Sequence, residues 1–167
     1  MYQLQGRYEG AITLSRKVYE TASRTLHPTH NVFLESKLEL AIALSNNVAD
    51  HQESETLLRE VLRVRGSMLA PDNDDVLFCM ENLARLMSAQ GKYDESEKIY
   101  REALLARSLK LGPEHFKVLR IVSNLCNSLL YQQKYVECGT KIRQALESMT
   151  KILGPERMYL FRTTLLH

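Results

Sequence analysis

Gly91-Lys92-Tyr93-Asp94-Glu95-Ser96-Glu97 returns 42 residues later as Gln133-Lys134-Tyr135-Val136-Glu137-Cys138. Outward from it, Arg101-Glu102-Ala103-Leu104 returns as Arg143-Gln144-Ala145-Leu146, and Leu111-Gly112-Pro113-Glu114 as Leu153-Gly154-Pro155-Glu156. One period earlier stand Glu53-Ser54-Glu55, Arg59-Glu60-Val61-Leu62 and Leu69-Ala70-Pro71-Asp72. Gly6-Arg7-Tyr8 opens a further copy, whose Pro28 lies 43 residues before Pro71. Self-similarity on this scale marks a stacked array, in which each unit buries its apolar face only against its neighbours.

The copy from Asp72 to Pro113 reads as a helical hairpin. Asp72, Asn73 or Asp74 caps the first helix by accepting its orphan backbone N–H groups. Val76, Leu77, Met80, Leu83, Ala84 and Met87 then follow at helical spacing and form one apolar face. Gly91 supplies the left-handed residue that ends this helix A. Asp94 with Glu97 three residues on reads as a capping box for helix B, with Asp in place of Ser or Thr. Ser96, Ile99, Ala103, Leu104 and Leu111 mark the buried stripe of helix B, and Gly112-Pro113 stops it.

The other copies follow the same template. Helix A is expected over 32–47 in the preceding copy and over 116–131 in the next, with Leu40-Ala41, Leu83-Ala84 and Leu125-Cys126 at matching places. The extra residue of the 43-residue copy falls in the turn around Asn46 to Asp50. Tyr8, Tyr93 and Tyr135 recur at the A–B turn and are expected to wedge between helices. The organisation expected is one array over 1–167. It comprises a partial copy at 6–28, repeats at 29–71, 72–113 and 114–155, and a partial copy at 156–167. A lone helix B over 8–26 and a partial helix A over 156–166 make the chain read as a fragment of a longer array. The apolar Met158, Tyr159, Leu160, Phe161 and Leu165 make that last segment a makeshift cap or a sticky end.

Bulk composition narrows the function. The 167 residues are 44% hydrophobic and 25% charged, with seven Gly and four Pro, an ordinary globular composition. A net charge of +2 gives no strong steering toward nucleic acid. No apolar run approaches the ~20 residues that cross a bilayer, and no signal peptide is legible at Met1-Tyr2-Gln3-Leu4-Gln5. Cys79, Cys126 and Cys138 form no CxxC pair, which points to reduced thiols in a cytoplasmic protein. His27 and His30 lack a third metal ligand, and His30 aligns with Asn73 and His115, so a turn or capping role is expected. Asp72, Asp74 and Asp75 lack the spacing of a calcium loop. No phosphate loop and no nucleophile or acid–base constellation can be assembled, so the reading is a non-enzyme without cofactor or metal.

Asn82-Leu83-Ala84, Gln90-Gly91-Lys92-Tyr93, Glu95, Glu97, Tyr100-Arg101, Ala103-Leu104, Arg107 and Leu111-Gly112-Pro113-Glu114-His115 resemble the tetratricopeptide repeat (TPR). More narrowly, they resemble the 42-residue variant of kinesin light chains, also found in the C-terminal arrays of NTPase-linked signalling proteins. The resemblance covers about residues 6 to 160. HEAT repeats share the period but not these residues, and a WD40 propeller is excluded by the helical spacing and the absence of Trp.

The resemblance implies an all-α fold, a right-handed α-α superhelix (TPR solenoid), with the A helices lining a concave face. That face is then expected to carry Phe78, Glu81, Asn82, Arg85 and Ser88 from the best copy. The next copy adds Arg120, Ser123, Asn124, Asn127 and Tyr131, and the earlier one Glu35, Leu38, Glu39, Ile42 and Asn46. Cys79 is expected near the same side. Asn82 and Asn124 match in register, and an amide that both donates and accepts holds a peptide backbone without reading its side chains. Arg85 and Arg120 suit an acidic side chain or terminal carboxylate, while Glu35 and Glu39 give the face mixed sign. Two plainer readings stand beside these: the Asn residues tie one helix to the next, and the Arg residues are solvated surface charges. The function implied is a non-catalytic protein–protein interaction module for a peptide or protein partner, with neither nucleic acid nor membrane involved. The alternative is a structural, sensor or oligomerisation array of a larger protein, self-associating through its ends.

Overall fold

The structure, a computed structural model, describes the backbone of residues 2–164 and the side chains of residues 9–150. The chain divides into two compact units, Met1–Gly91 and Lys92–His167. The first holds α1 (Tyr2–Thr25), α2 (Asn31–Leu44), a 3-10 turn (Val48–Asp50), α3 (His51–Met68) and α4 (Asp74–Ala89). The second holds α5 (Tyr93–Leu111), α6 (Phe116–Tyr131) and α7 (Tyr135–Thr164). Within each unit, successive helices pack against one another, and there is no strand among the described residues. In the repeat alternation, α2, α4 and α6 are the A helices and α1, α3, α5 and α7 the B helices.

The local chemistry that sets these bounds is repetitive. His30, Asn73 and His115 each precede an A helix, and each side chain accepts the backbone N–H two residues on, at 3.2, 2.9 and 3.2 Å. Each satisfies one of the orphan donors of the first turn. Gly91 and Gly112 close helices with φ of 76° and 85°, a conformation that costs other residues a clash at Cβ. Gln133 occupies the place of Gly91 in the next copy and adopts φ 59° without glycine's freedom. The extra residue is absorbed in the 3-10 turn, where Asn47 accepts from the Ala49 N–H at 3.3 Å and donates to Asp50 at 2.7 Å.

Several boundaries depart from expectation. Helix α5 begins at Tyr93 with no side-chain cap, so Asp94 and Glu97 form no capping box. Asp94 instead lies in the first turn beside the positive end of the helix dipole, and Glu97 is drawn off by two cations. Helix α2 ends at Leu44, short of Asn47, because Ser45 and Asn46 turn their side chains back onto carbonyls of the last turn. Helix α1 starts at Tyr2 and runs through Gly6, although an interior Gly costs about 1 kcal/mol.

Helix α7 runs through Gly154 and Pro155 to Thr164 where a stop was expected. The position of the capping Asn73 and His115 is filled by Arg157, a residue type with no acceptor for a first-turn N–H. The expected cap at 158–165 lies outside the described side chains, as does Tyr8.

Burial follows the repeat, with a wider arc than one stripe. On α4, Val76, Leu77, Leu83, Ala84 and Met87 are buried as expected, and Cys79 and Leu86 join them at full burial, while Met80 stays partly open. Cys79 therefore packs inside the unit instead of lying toward the binding side, and so does Leu38 of α2. In the second unit Ser96, Tyr100, Ala103, Ile121, Leu125 and Leu129 are buried. Truncating one such Leu costs about 2–5 kcal/mol.

Candidate protein-binding faces of the A helices

In the second unit, the face of α6 opposite its core is a polar stripe. Arg120, Asn124, Asn127 and Tyr131 are spaced four, three and four residues apart, so they lie on one line about 16 Å long. Arg120, Asn127 and Tyr131 are exposed and Asn124 half-buried. Neither Asn124 nor Asn127 has a side-chain hydrogen-bond partner among the described residues, so both amides keep their donors and acceptors available. The Tyr131 ring is 68% exposed and stacks on Tyr93, with centroids 4.6 Å apart and planes 4° from parallel. The pair forms a flat aromatic platform at the C-terminal end of the stripe. Tyr93 thus meets a helix as expected, whereas Tyr135 is mainly exposed.

In the first unit the corresponding face of α4 is largely engaged. Asn82 is buried, and its amide nitrogen donates to the Phe78 carbonyl one turn back at 2.9 Å. Arg85 donates to Ser45 Oγ at 3.0 Å and to Asn82 Oδ1 at 3.5 Å, tying α4 to the end of α2. Glu81 is buried too. Glu39 on α2 is exposed, as is Glu35, whose carboxylate takes a 2.5 Å ion pair from Arg65 of α3. Asn82 and Asn124, matched in sequence, are thus spent differently: the first serves its own helix and Arg85, the second faces outward.

The remaining polar residues hold helices together. Arg16 of α1 makes a bidentate pair with Glu53 of α3 at 2.8 Å to each oxygen, and Arg101 of α5 pairs with Glu137 of α7 at 2.5 Å. These are the same repeat positions, a rung between successive B helices in each unit. Glu97 accepts from Arg101 at 2.7 Å and from Lys134 at 2.7 Å. Burial alone would raise its pKa, but hydrogen bonds from Lys134 and Arg101 outweigh it and hold the carboxyl at about 2. Gln90 and Gln132 each donate to a backbone carbonyl at the start of a B helix, His51 and Tyr93 respectively. Sequence reasoning passed over this recurring glutamine, although its 42-residue spacing was legible.

The cysteines carry no legible chemistry. All three are free and buried. Burial pushes the Cys79 thiol up, against the pull of Arg65 Nη1 at 3.4 Å, and burial with the neighbouring Cys138 raises Cys126 to about 12. Such thiols are poor nucleophiles. Among the described residues no group of three His, Cys, Asp or Glu is placed to hold a metal. None of the described helices is long and apolar enough to cross a membrane.

Residues 33–108 match the family model of the tetratricopeptide repeat. Over that stretch the chain is built of tetratricopeptide repeats. Among solved structures, the nearly identical TPR-like repeats of a kinesin-light-chain protein from Podosopora anserina share the fold at a TM-score of 0.83 and 25% identity, over 93% of this chain and 73% of that one. A variant of the same repeats gives 0.82 and 25%, over 91% and 71%. BtubC (BKLC) from P. vanneervenii gives 0.73 at 19%, over 92% and 59%, a likeness of fold alone. No curated protein matches the sequence. The fold class is therefore the all-α TPR superhelix, and the repeats are of the kinesin-light-chain-like type. TPR arrays are in general protein-interaction modules, and typically scaffolds without catalysis.

Proposed function

We propose that this chain is a non-catalytic module that holds a peptide or protein segment on the exposed faces of its A helices. The observation that carries the reading is the α6 stripe: two amides without side-chain hydrogen-bond partners among the described residues, beside a stacked tyrosine pair. Asn124 and Asn127 suit the main chain of a bound segment, and Arg120 suits an acidic side chain or a terminal carboxylate. On α2, Glu39 suits a basic residue. Asn82, Arg85 and Glu81 support α4 from within and act on a ligand through its position. Three unpaired, buried thiols fit the cytoplasm, and we assign the protein there.

The test is a peptide library titrated by fluorescence anisotropy against the wild type and an Asn124→Ala/Asn127→Ala variant. Losing two hydrogen bonds of about 1 kcal/mol each weakens at least one ligand class by roughly 10- to 30-fold. Equal affinity for every ligand refutes the α6 assignment.

A further inference from the structure

Each unit contains a B–A–B triplet, α1–α2–α3 in the first and α5–α6–α7 in the second. His30 before α2 matches His115 before α6, 85 positions on, and Arg59 of α3 matches Arg143 of α7, 84 positions on. In the first unit one set of positions is filled by side chains that pack on each other. The Tyr19 and Phe33 rings stack with centroids 5.7 Å apart. Lys37 Nζ lies over them, 4.9 Å from the Phe33 centroid and 5.8 Å from that of Tyr19. Glu60 pairs with Lys37 at 2.7 Å, and Val64 packs against the same cluster. The matching residues of the second unit are Leu104, Val118, Val122, Gln144 and Ser148. Four are smaller than their counterparts, and Gln144 is Glu60 without the charge. All five line a pocket of about 150 Å³ between α5, α6 and α7. An apolar space of that size holds a benzene ring. Gln144 is exposed at its rim, which leaves a way in from solvent.

The exchange also says what chemistry fits. The second unit lacks two rings and a carboxylate at these positions, and it gains a cation. Lys141 of α7 stands where α3 has the buried Leu57, and it lines the pocket. Lys141 is half-buried and has no hydrogen-bond or ion-pair partner among the described residues. An ammonium beside an apolar wall attracts a carboxylate more strongly than one in open water. We propose that this pocket is a small-molecule site, distinct from the polar stripe of α6, for a single-ring aromatic carboxylate. Its ring lies against Leu104, Val118 and Val122, and its carboxylate meets Lys141.

Phenylacetate is the probe, titrated into the whole chain by calorimetry beside 2-phenylethanol, which keeps the ring and lacks the charge. Phenylacetate is expected to bind with a Kd of about 1 mM or below. The alcohol is expected to bind at least about fivefold more weakly, in keeping with the worth of a partly exposed ion pair. Lys141→Met should bring the acid down to the level of the alcohol and leave the alcohol unchanged. Leu104→Tyr/Val118→Phe rebuilds the ring pair of the first unit and should abolish binding of both. If that variant does not fold, Lys141→Met decides alone, and circular dichroism separates the two cases. Asn124→Ala/Asn127→Ala is expected to bind phenylacetate as wild type. Absence of phenylacetate binding, equal affinity for acid and alcohol, an affinity that Lys141→Met leaves unchanged, full affinity in the folded ring-filled variant, or loss in the α6 variant would each overturn the proposal.

Discussion

Replacing Glu97 with Gln keeps the shape of the side chain and removes the charge that Arg101 and Lys134 share. Glu97 sits at a folded pKa of about 2 against an ordinary value of 4.5. A folded pKa below the unfolded one means that the ionised carboxylate is bound more tightly in the native state. Its stabilisation is then complete above the unfolded value and disappears as pH falls through the folded one. The displacement converts to about 3 kcal/mol at neutral pH. The side chains of Arg101 and Lys134 remain 39% and 43% exposed, and solvent screening reduces the figure to about 2 kcal/mol. Urea unfolding followed by circular dichroism at pH 7 should show Glu97→Gln losing about 1 M in midpoint, given a slope of about 2 kcal/mol/M. The gap between the two proteins should narrow between pH 4.5 and 2 and nearly close at the lower end. A variant within about 0.5 kcal/mol of wild type at pH 7, or a gap that does not change with pH, refutes the reasoning.

Three other measurements probe the frame. Asn73→Ala and His115→Ala should each lower stability by about 1 kcal/mol in denaturant titrations, since each leaves one first-turn N–H without its cap. Gln133→Gly should raise stability by about 0.5–1 kcal/mol by relieving φ 59°; Gly112→Ala should lower it by at least 1 kcal/mol, because a Cβ there meets the Glu114 carboxylate at 3.0 Å on a backbone of φ 85°. A thiol reagent at pH 8 should leave all three cysteines unmodified in the native protein and modify them on unfolding, since all are buried and Cys79 and Cys126 are shifted upward; rapid native labelling would count against the observed packing.

The elements that were legible in the sequence are those fixed by local chemistry at fixed spacing. The bounds of α6 follow from His115 at one end and the polar turn after Tyr131 at the other, and Gly91 and Gly112 take the left-handed turns that only glycine adopts without strain. What was not legible depends on enclosure from more than one side. Cys79 and Leu86 lie off the single apolar stripe drawn for α4, yet both are buried, Cys79 under Arg65 of α3, so the hidden arc is wider than the periodicity marks. The end of α7 was misread because Gly154-Pro155 repeats the stop signal of Gly112-Pro113 while the residue in the place of His115 is Arg157, which offers no acceptor as a cap.

The candidate site shows where register stops being informative. Asn82 and Asn124 occupy the same position in successive copies, and only their neighbours decide what each amide does. In the copy with Asn82, Arg85 follows one turn later and lies across Asn82 Oδ1 to reach Ser45, so the amide turns to Phe78 and the polar face closes on itself. In the copy with Asn124, the residue one turn later is Asn127, which has no reach across the unit, and the face stays open. Transplanting the closing residue tests this directly. Asn127→Arg should stabilise the second unit little but weaken any ligand held through Asn124, whereas Arg85→Asn should free Asn82 and open a polar surface on α4. If Asn127→Arg leaves ligand affinity at the wild-type value, the availability of the Asn124 amide is not what makes α6 a binding face.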